Sequence, residues 1–160
     1  MVPPADITDN DYRALAEFRY QIRKFLRFSE SAARTAGLEP QQHQLLLAIR
    51  GLPEGTPATI GNVADRLQIQ HHSTVELVDR LVRRGLVQRK RGGEDRRQVL
   101  LQVTAKGDRL LRELSIHHEE ELRTNGPALI AALRRMLTVA KKGPKRAART
   151  AGGARSGTRT

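Results

Sequence analysis

The sequence contains no cysteine. Disulfide staples, thiolate metal sites and cysteine redox sensing are therefore excluded. No apolar run approaches the roughly 20 residues that a helix needs to span a bilayer. The opening Met1-Val2-Pro3-Pro4-Ala5-Asp6 lacks the basic-then-apolar pattern of a secretory signal. A soluble, cytoplasmic protein with no membrane partner is the expectation. Catalytic signatures are missing too. Gly92-Gly93 precedes no helix and so makes no phosphate loop, and there is no His-Glu-x-x-His. Ser29, Ser31, Ser73, Ser115 and Ser156 stand in no nucleophile-elbow pattern. The chain reads as a non-enzyme with no cofactor.

Acids are scarce relative to bases. Asp and Glu number 17 against 29 Lys and Arg, a net charge of +12. Such an excess suits a polyanionic partner, either nucleic acid or an anionic surface. The imbalance is greatest at the end, where Lys141, Lys142, Lys145, Arg146, Arg149, Arg155 and Arg159 follow one another with no acid and no large apolar residue. Residues 141–160 are expected to be a disordered basic tail, either merely solubilising or a phosphate-binding arm. The remainder suits one domain whose core needs no metal or disulfide.

Apolar spacing sets out the elements. Leu15, Phe18, Ile22, Phe25 and Leu26 share one face of a helix over 11–36, which Gly37 stops. Pro40 fits the first turn of a second helix carrying Leu45, Leu46 and Ile49 and ending near Gly51. Thr59 can cap a third helix with Ile60, Val63, Ala64 and Leu67 inward. After Gln68-Ile69-Gln70, a fourth helix runs from about His72 to Arg84 with Val75, Val78, Leu81 and Val82 inward. Leu86 to Arg91 and Gln98 to Val103 read as strands, the second with a period of two. Thr104 can cap a fifth helix with Leu110, Leu111, Leu114 and Leu122, which Asn125-Gly126-Pro127 breaks. A sixth helix then carries Leu129, Ile130, Leu133, Met136 and Leu137.

Two short helices, a tight turn, a helix and a hairpin form a winged helix-turn-helix pattern. The second helix of such a pair can enter the major groove, its first turns facing base edges. Here those residues are His71, His72, Ser73, Thr74, Glu76 and Leu77. The hairpin carries Arg89, Lys90, Arg91, Arg96 and Arg97 around Glu94 and Asp95. A basic loop suits the narrow, electronegative minor groove, and Asp95 can accept from the Arg97 guanidinium and set its direction. The bland alternatives are an exposed helix start and a solvated charge cluster.

Four runs then carry a resemblance: Ser73-Thr74-Val75-Glu76-Leu77-Val78-Asp79-Arg80-Leu81, Arg84-Gly85-Leu86-Val87-Gln88-Arg89, Asp95-Arg96-Arg97, and Leu101-Gln102-Val103-Thr104-Ala105-Lys106-Gly107. Together they resemble the MarR family of bacterial regulators, in element order over about 11–140 and specifically from Thr59 to Gly107. The resemblance implies a homodimer built from the first, fifth and sixth helices. It also implies a fourth helix in the major groove and a wing Arg, here Arg97, in the minor groove with Asp95 orienting it. Arg80, Arg84, Arg89 and Arg91 fall within the implied DNA-binding surface. It further implies repression at a near-palindromic operator, often relieved by a small aromatic or phenolic ligand. Glu76 departs from relatives that carry a basic or hydroxyl residue there. The expected organisation is a 1–10 extension, dimerisation helices at 11–37 and 105–140, a winged helix-turn-helix at 38–104, and the tail.

Dimerisation also has a reason in the residues. Phe18, Phe25 and Phe28 give the first helix more apolar surface than a small core covers, and the sixth helix has no obvious partner in its own chain. Tyr12, Arg19, Tyr20 and His43 are candidate effector contacts, against the plainer reading of an amphipathic helix with a polar flank. Zinc-sensing relatives use helix-borne His and Glu near these elements, so His43, His117 and Glu121 form the alternative metal set. Adjacent His117 and His118 point about 100° apart, and at most one serves a given site. Ordinary histidines or a pH-linked role are the competing readings. The function read from the sequence is a sequence-specific, ligand-responsive repressor of double-stranded DNA; the alternative is an architectural protein of low specificity. Arg97→Ala is expected to weaken operator binding by roughly 1–3 kcal/mol with the fold intact. Unchanged affinity in a gel-shift titration would remove the wing assignment.

Overall fold

The computed structural model describes residues 7–92 and 98–140. Its elements run α1 (Asp9–Thr35), α2 (Pro40–Arg50), α3 (Ile60–Leu67), α4 (His71–Arg83), β1 (Val87–Arg91), β2 (Val99–Val103) and α5 (Ala105–Ala140). The architecture is mainly helical with one antiparallel hairpin, as the pattern predicts.

Local chemistry sets the boundaries. At α1 the Thr8 backbone N–H donates to Asp11 Oδ2 at 2.7 Å, and the Thr8 hydroxyl accepts from the Asp11 N–H, a capping box. That bonding holds the Asp11 carboxyl below its ordinary range, with the Thr8 side chain as the main cause. Gly37 and Gly85 take φ of +75° and +68°, which a side chain resists. Each lets the next residue turn back, Leu38 N–H to Ala33 O and Leu86 N–H to Leu81 O, so that both leucines enter the core. Thr59 caps α3 through the Asn62 N–H at 3.2 Å, and Thr104 does the same for α5 through Gly107 at 3.2 Å.

The core lies where α2, α3, α4 and the hairpin meet the end of α1 and the start of α5. Leu38, Leu45, Leu46, Val63, Val78, Leu81, Leu86, Val87 and Leu114 are sealed from solvent there. The strands pair from Val87↔Val103 to Arg91↔Val99. The Leu101 N–H also reaches Ala58 O at 2.8 Å, which ties β2 to the segment entering α3.

Two expectations need correction. Asn125-Gly126-Pro127 does not break a helix: α5 continues through Pro127, giving five helices rather than six among the described residues. The helix also has a partner in its own chain, because α1 lies antiparallel along it. Lys24 Nζ donates to Asn125 Oδ1 at 3.0 Å, and Arg135 Nη2 to Asn10 Oδ1 at 2.9 Å. Ala14 and Ala132 are buried in this pairing and Gly126 faces inward. Packing along the whole length of α1 outweighs the one backbone hydrogen bond that proline removes.

Gly107 marks a close approach. A Cβ there would collide with the Leu86 carbonyl oxygen and sit 2.7 Å from Val103 Cγ1. Gly61, in α3, meets nothing nearer than 4.0 Å. Gly107→Ala is therefore expected to lower stability by about 1–3 kcal/mol through overpacking, whereas Gly61→Ala raises it by roughly 0.5–1 kcal/mol. Urea melts of the two variants check the contrast; equal effects would contradict the packing.

Candidate nucleic-acid interface

The turn between α3 and α4 is short and left-handed. Gln68 sits at φ 55°, its side-chain amide donating to Asp65 O at 2.6 Å, while the Ile69 N–H returns to Ala64 O at 3.2 Å. Ile69 packs against the core and α4 departs at once.

The buried arc of α4 is Thr74, Leu77, Val78 and Leu81, spaced i, i+3, i+4 and i+7. The predicted arc was displaced: Val75 and Val82 are only half-buried. Two predicted DNA contacts are corrected as a result. Leu77 is buried, and Thr74 is fully buried at 0% exposure. A polar Thr fits this inward site because its hydroxyl donates to Gln70 O at 3.1 Å, so nothing is left unsatisfied. His71, His72, Glu76 and Arg80 lie on the outward face, with Ser73 at its edge and Arg83 joining it at the last turn.

Arg84 also has a different place from the predicted one. Its guanidinium donates to Gln42 Oε1 at 2.6 Å and to Gly37 O at 2.7 Å, clamping the end of α4 to the α1–α2 junction. Arg89 of β1 donates to Asp79 Oδ1 at 2.6 Å, which fixes the base of the wing against α4. No sequence argument anticipated that pair. Lys90 and Arg91 are exposed on β1. Asp95, Arg96 and Arg97 lie outside the described residues, as does the tail at 141–160.

Residues 36–98 match the model of the MarR family. Over that segment the chain resembles the MarR family. It is 31% identical over 65 residues to YsmB of Bacillus subtilis (strain 168), an uncharacterized HTH-type transcriptional regulator. That match spans 41% of this chain and 44% of the relative, less than half its length. The fold is similar to AbsC, a MarR family transcriptional regulator of Streptomyces coelicolor, with a TM-score of 0.66 at 20% identity over 84% of this chain and 95% of that one. It is also similar to a mutant MarR of E. coli complexed with operator DNA, with a TM-score of 0.59 at 21% identity over 76% of this chain and 89% of that one.

The candidate effector residues do not share one pocket. Tyr12 and Tyr20 are 61% and 55% exposed on α1, and Arg19 is exposed between them. His43 is 2% exposed, and its ring centroid lies 5.0 Å from that of His118. The alternative metal set is also not assembled. His43 faces His118 rather than His117, and Glu121 accepts from Asn125 Nδ2 at 2.8 Å. Among the described residues no three His, Cys, Asp or Glu gather into a metal-binding group. His117 and Glu121 instead border an open groove of about 630 Å³, with Phe28, Ala32 and Leu114 among its lining residues.

The histidine pair is a seam between three helices. His118 uses one ring nitrogen on Leu114 O at 2.6 Å and the other on the Ser29 hydroxyl at 2.8 Å. Phe25 and Phe28 meet its ring edge-on. Among the described residues, His43 Nδ1 is buried without a partner. Burial, and then the charge that His118 can carry, hold the His43 pKa below its ordinary 6.5. In the unfolded chain His43 takes a proton as pH falls through 6.5, while the folded ring stays neutral until lower pH. Stability therefore falls on acidification, in a window that opens near the unfolded value. Thermal melts at about pH 7.5 and about pH 5.5 should show this loss in the native chain and a shallower one in His43→Leu. Equal pH slopes would assign the acid response to other groups.

Proposed function

We propose that this chain is a transcriptional regulator that binds double-stranded DNA as a homodimer. The observation that carries the reading is the two-sidedness of α4. Its apolar arc is consumed by the core, and a polar face with His71, His72, Glu76 and Arg80 is held outward beside the basic strand β1. A helix presented in this way fits the major groove. Similarity to a MarR protein complexed with operator DNA supports that use of the fold. The Asp79–Arg89 bond keeps the wing base and the helix in fixed relation, so that one docking engages both.

The dimer is supported by apolar surface that the α1–α5 pairing leaves uncovered. Leu15 and Leu26 on α1, and Ile130, Leu133 and Leu137 on α5, remain exposed. A second copy covering them would place two α4 helices about a two-fold axis, which matches a near-palindromic operator. Repression relieved by a small aromatic or phenolic effector completes the reading. The groove beside Phe28 and Leu114 has the size of a small-molecule site and an apolar floor. It suits such a ligand better than the exposed face of Tyr12, Arg19 and Tyr20.

The test is selection of sheared genomic DNA by the pure chain at physiological salt, with sequencing of the bound pool. Enrichment of one or a few near-palindromes is expected, at least roughly 10³-fold over random DNA. Uniform coverage would refute operator-specific regulation and favour an architectural role resting on charge alone.

A further inference from the structure

Two acids stand on α4, and they are placed differently. Asp79 is bonded to Arg89 at 2.6 Å. Glu76 has 67% of its side chain exposed and stands 3.8 Å from the Arg80 guanidinium, four residues on. It occupies the middle of the outward face, between His72 and Arg80, in a chain of net charge +12. At that separation, with both groups exposed, the ion pair contributes little stability of its own.

A carboxylate is a poor residue for this face on charge grounds, because phosphates repel it. It accepts hydrogen bonds and donates none. Of the groups that bases display in the major groove, guanine N7 and O6, adenine N7 and thymine O4 all repel it. Only the exocyclic amines attract it, and cytosine N4 is the one that presents no neighbouring acceptor on the same base edge. Arg80 has the complementary requirement: its guanidinium suits guanine O6 and N7. Residues four apart on a helix are separated by about 6 Å along its axis, against about 3.4 Å per base pair. The two side chains can thus address base pairs one or two steps apart.

We infer that Glu76 sets the base preference of the operator by accepting from cytosine N4, with Arg80 directed to the edge of a nearby guanine. This deepens the reading of α4 as the groove-entering helix and rests on it. The chemistry explains why a carboxylate is useful at the centre of a basic surface. It contributes repulsion toward wrong bases and toward non-specific backbone contact, and so raises the ratio of specific to random binding.

The experiment is selection from a random-sequence duplex library with three full-length proteins: the native chain, Glu76→Gln and Glu76→Ala. The exposure of Glu76 makes both substitutions compatible with the fold. The native motif should hold cytosine at one position of each half-site, favoured roughly 10-fold or more over the alternatives. Glu76→Gln should move that position to adenine, because an amide pairs with adenine N6 and N7. Glu76→Ala should lose preference at that position only and bind random DNA more tightly. One motif shared by all three proteins would overturn the inference and leave the DNA-binding reading standing. A change spread over the whole motif would also overturn it, by giving Glu76 a merely structural part. Failure of the native chain to enrich any sequence would instead sink the DNA-binding reading itself.

Discussion

The burial of one arc of α4 is the constraint on which the rest depends. Val78 and Leu81 are sealed in the core, and Thr74 and Leu77 complete the arc. Four inward positions fix the rotation of a thirteen-residue helix about its axis, and that rotation decides which side chains meet a partner. Turned by one residue, the helix would bury Glu76 or expose Leu77; either costs more than a typical surface change. The bonds around α4 keep that choice in place. Gln68 gives it a tight entry, Arg84 clamps its end to Gln42 and Gly37, and Asp79 attaches it to β1.

The α1–α5 pairing is the second frame, and it meets the first at His43 and His118. Three helices converge there with little polar satisfaction to spare. His118 has both ring nitrogens engaged, while His43 Nδ1 has no partner among the described residues. A buried unpaired nitrogen costs free energy, and a second imidazole against it discourages relief by protonation. The unit that carries α4 is thus joined to the long helices through a contact sensitive to protons. Any rearrangement of the long helices would be felt at the same place.

Electrostatics act on two scales here. The overall charge of +12 draws the chain toward a polyanion without distinguishing one sequence from another. Discrimination needs local structure in the field, and under the proposed function the outward face is the place for it. Glu76 and Arg80 stand on one stripe, while Asp79 engages Arg89 at 2.6 Å. The exposed pairs add little to folding, so their arrangement matters chiefly for what they present.

Much of this was legible in the sequence, because it depends on neighbours along the chain. Thr59, Thr104, Pro40, Gly37 and Gly85 announce helix ends through bonds spanning a few residues, and the hairpin follows from a period of two. The order of elements, and with it the winged-helix fold, needed no more than that. Tertiary packing decided the remainder. Pro127 stays inside α5 because α1 supports the helix from the side. Thr74 points inward because α4 is rotated to suit Leu77 and Leu81, and its own hydroxyl bonds back to the helix. His43 meets His118, and Arg84 meets Gln42, across separations that no local pattern encodes. Sequence alone determined where most helices begin and end, since caps and turns are local; only the fold decided that α5 runs on through Pro127 and which face of each helix is left for function, since both follow from what packs against it.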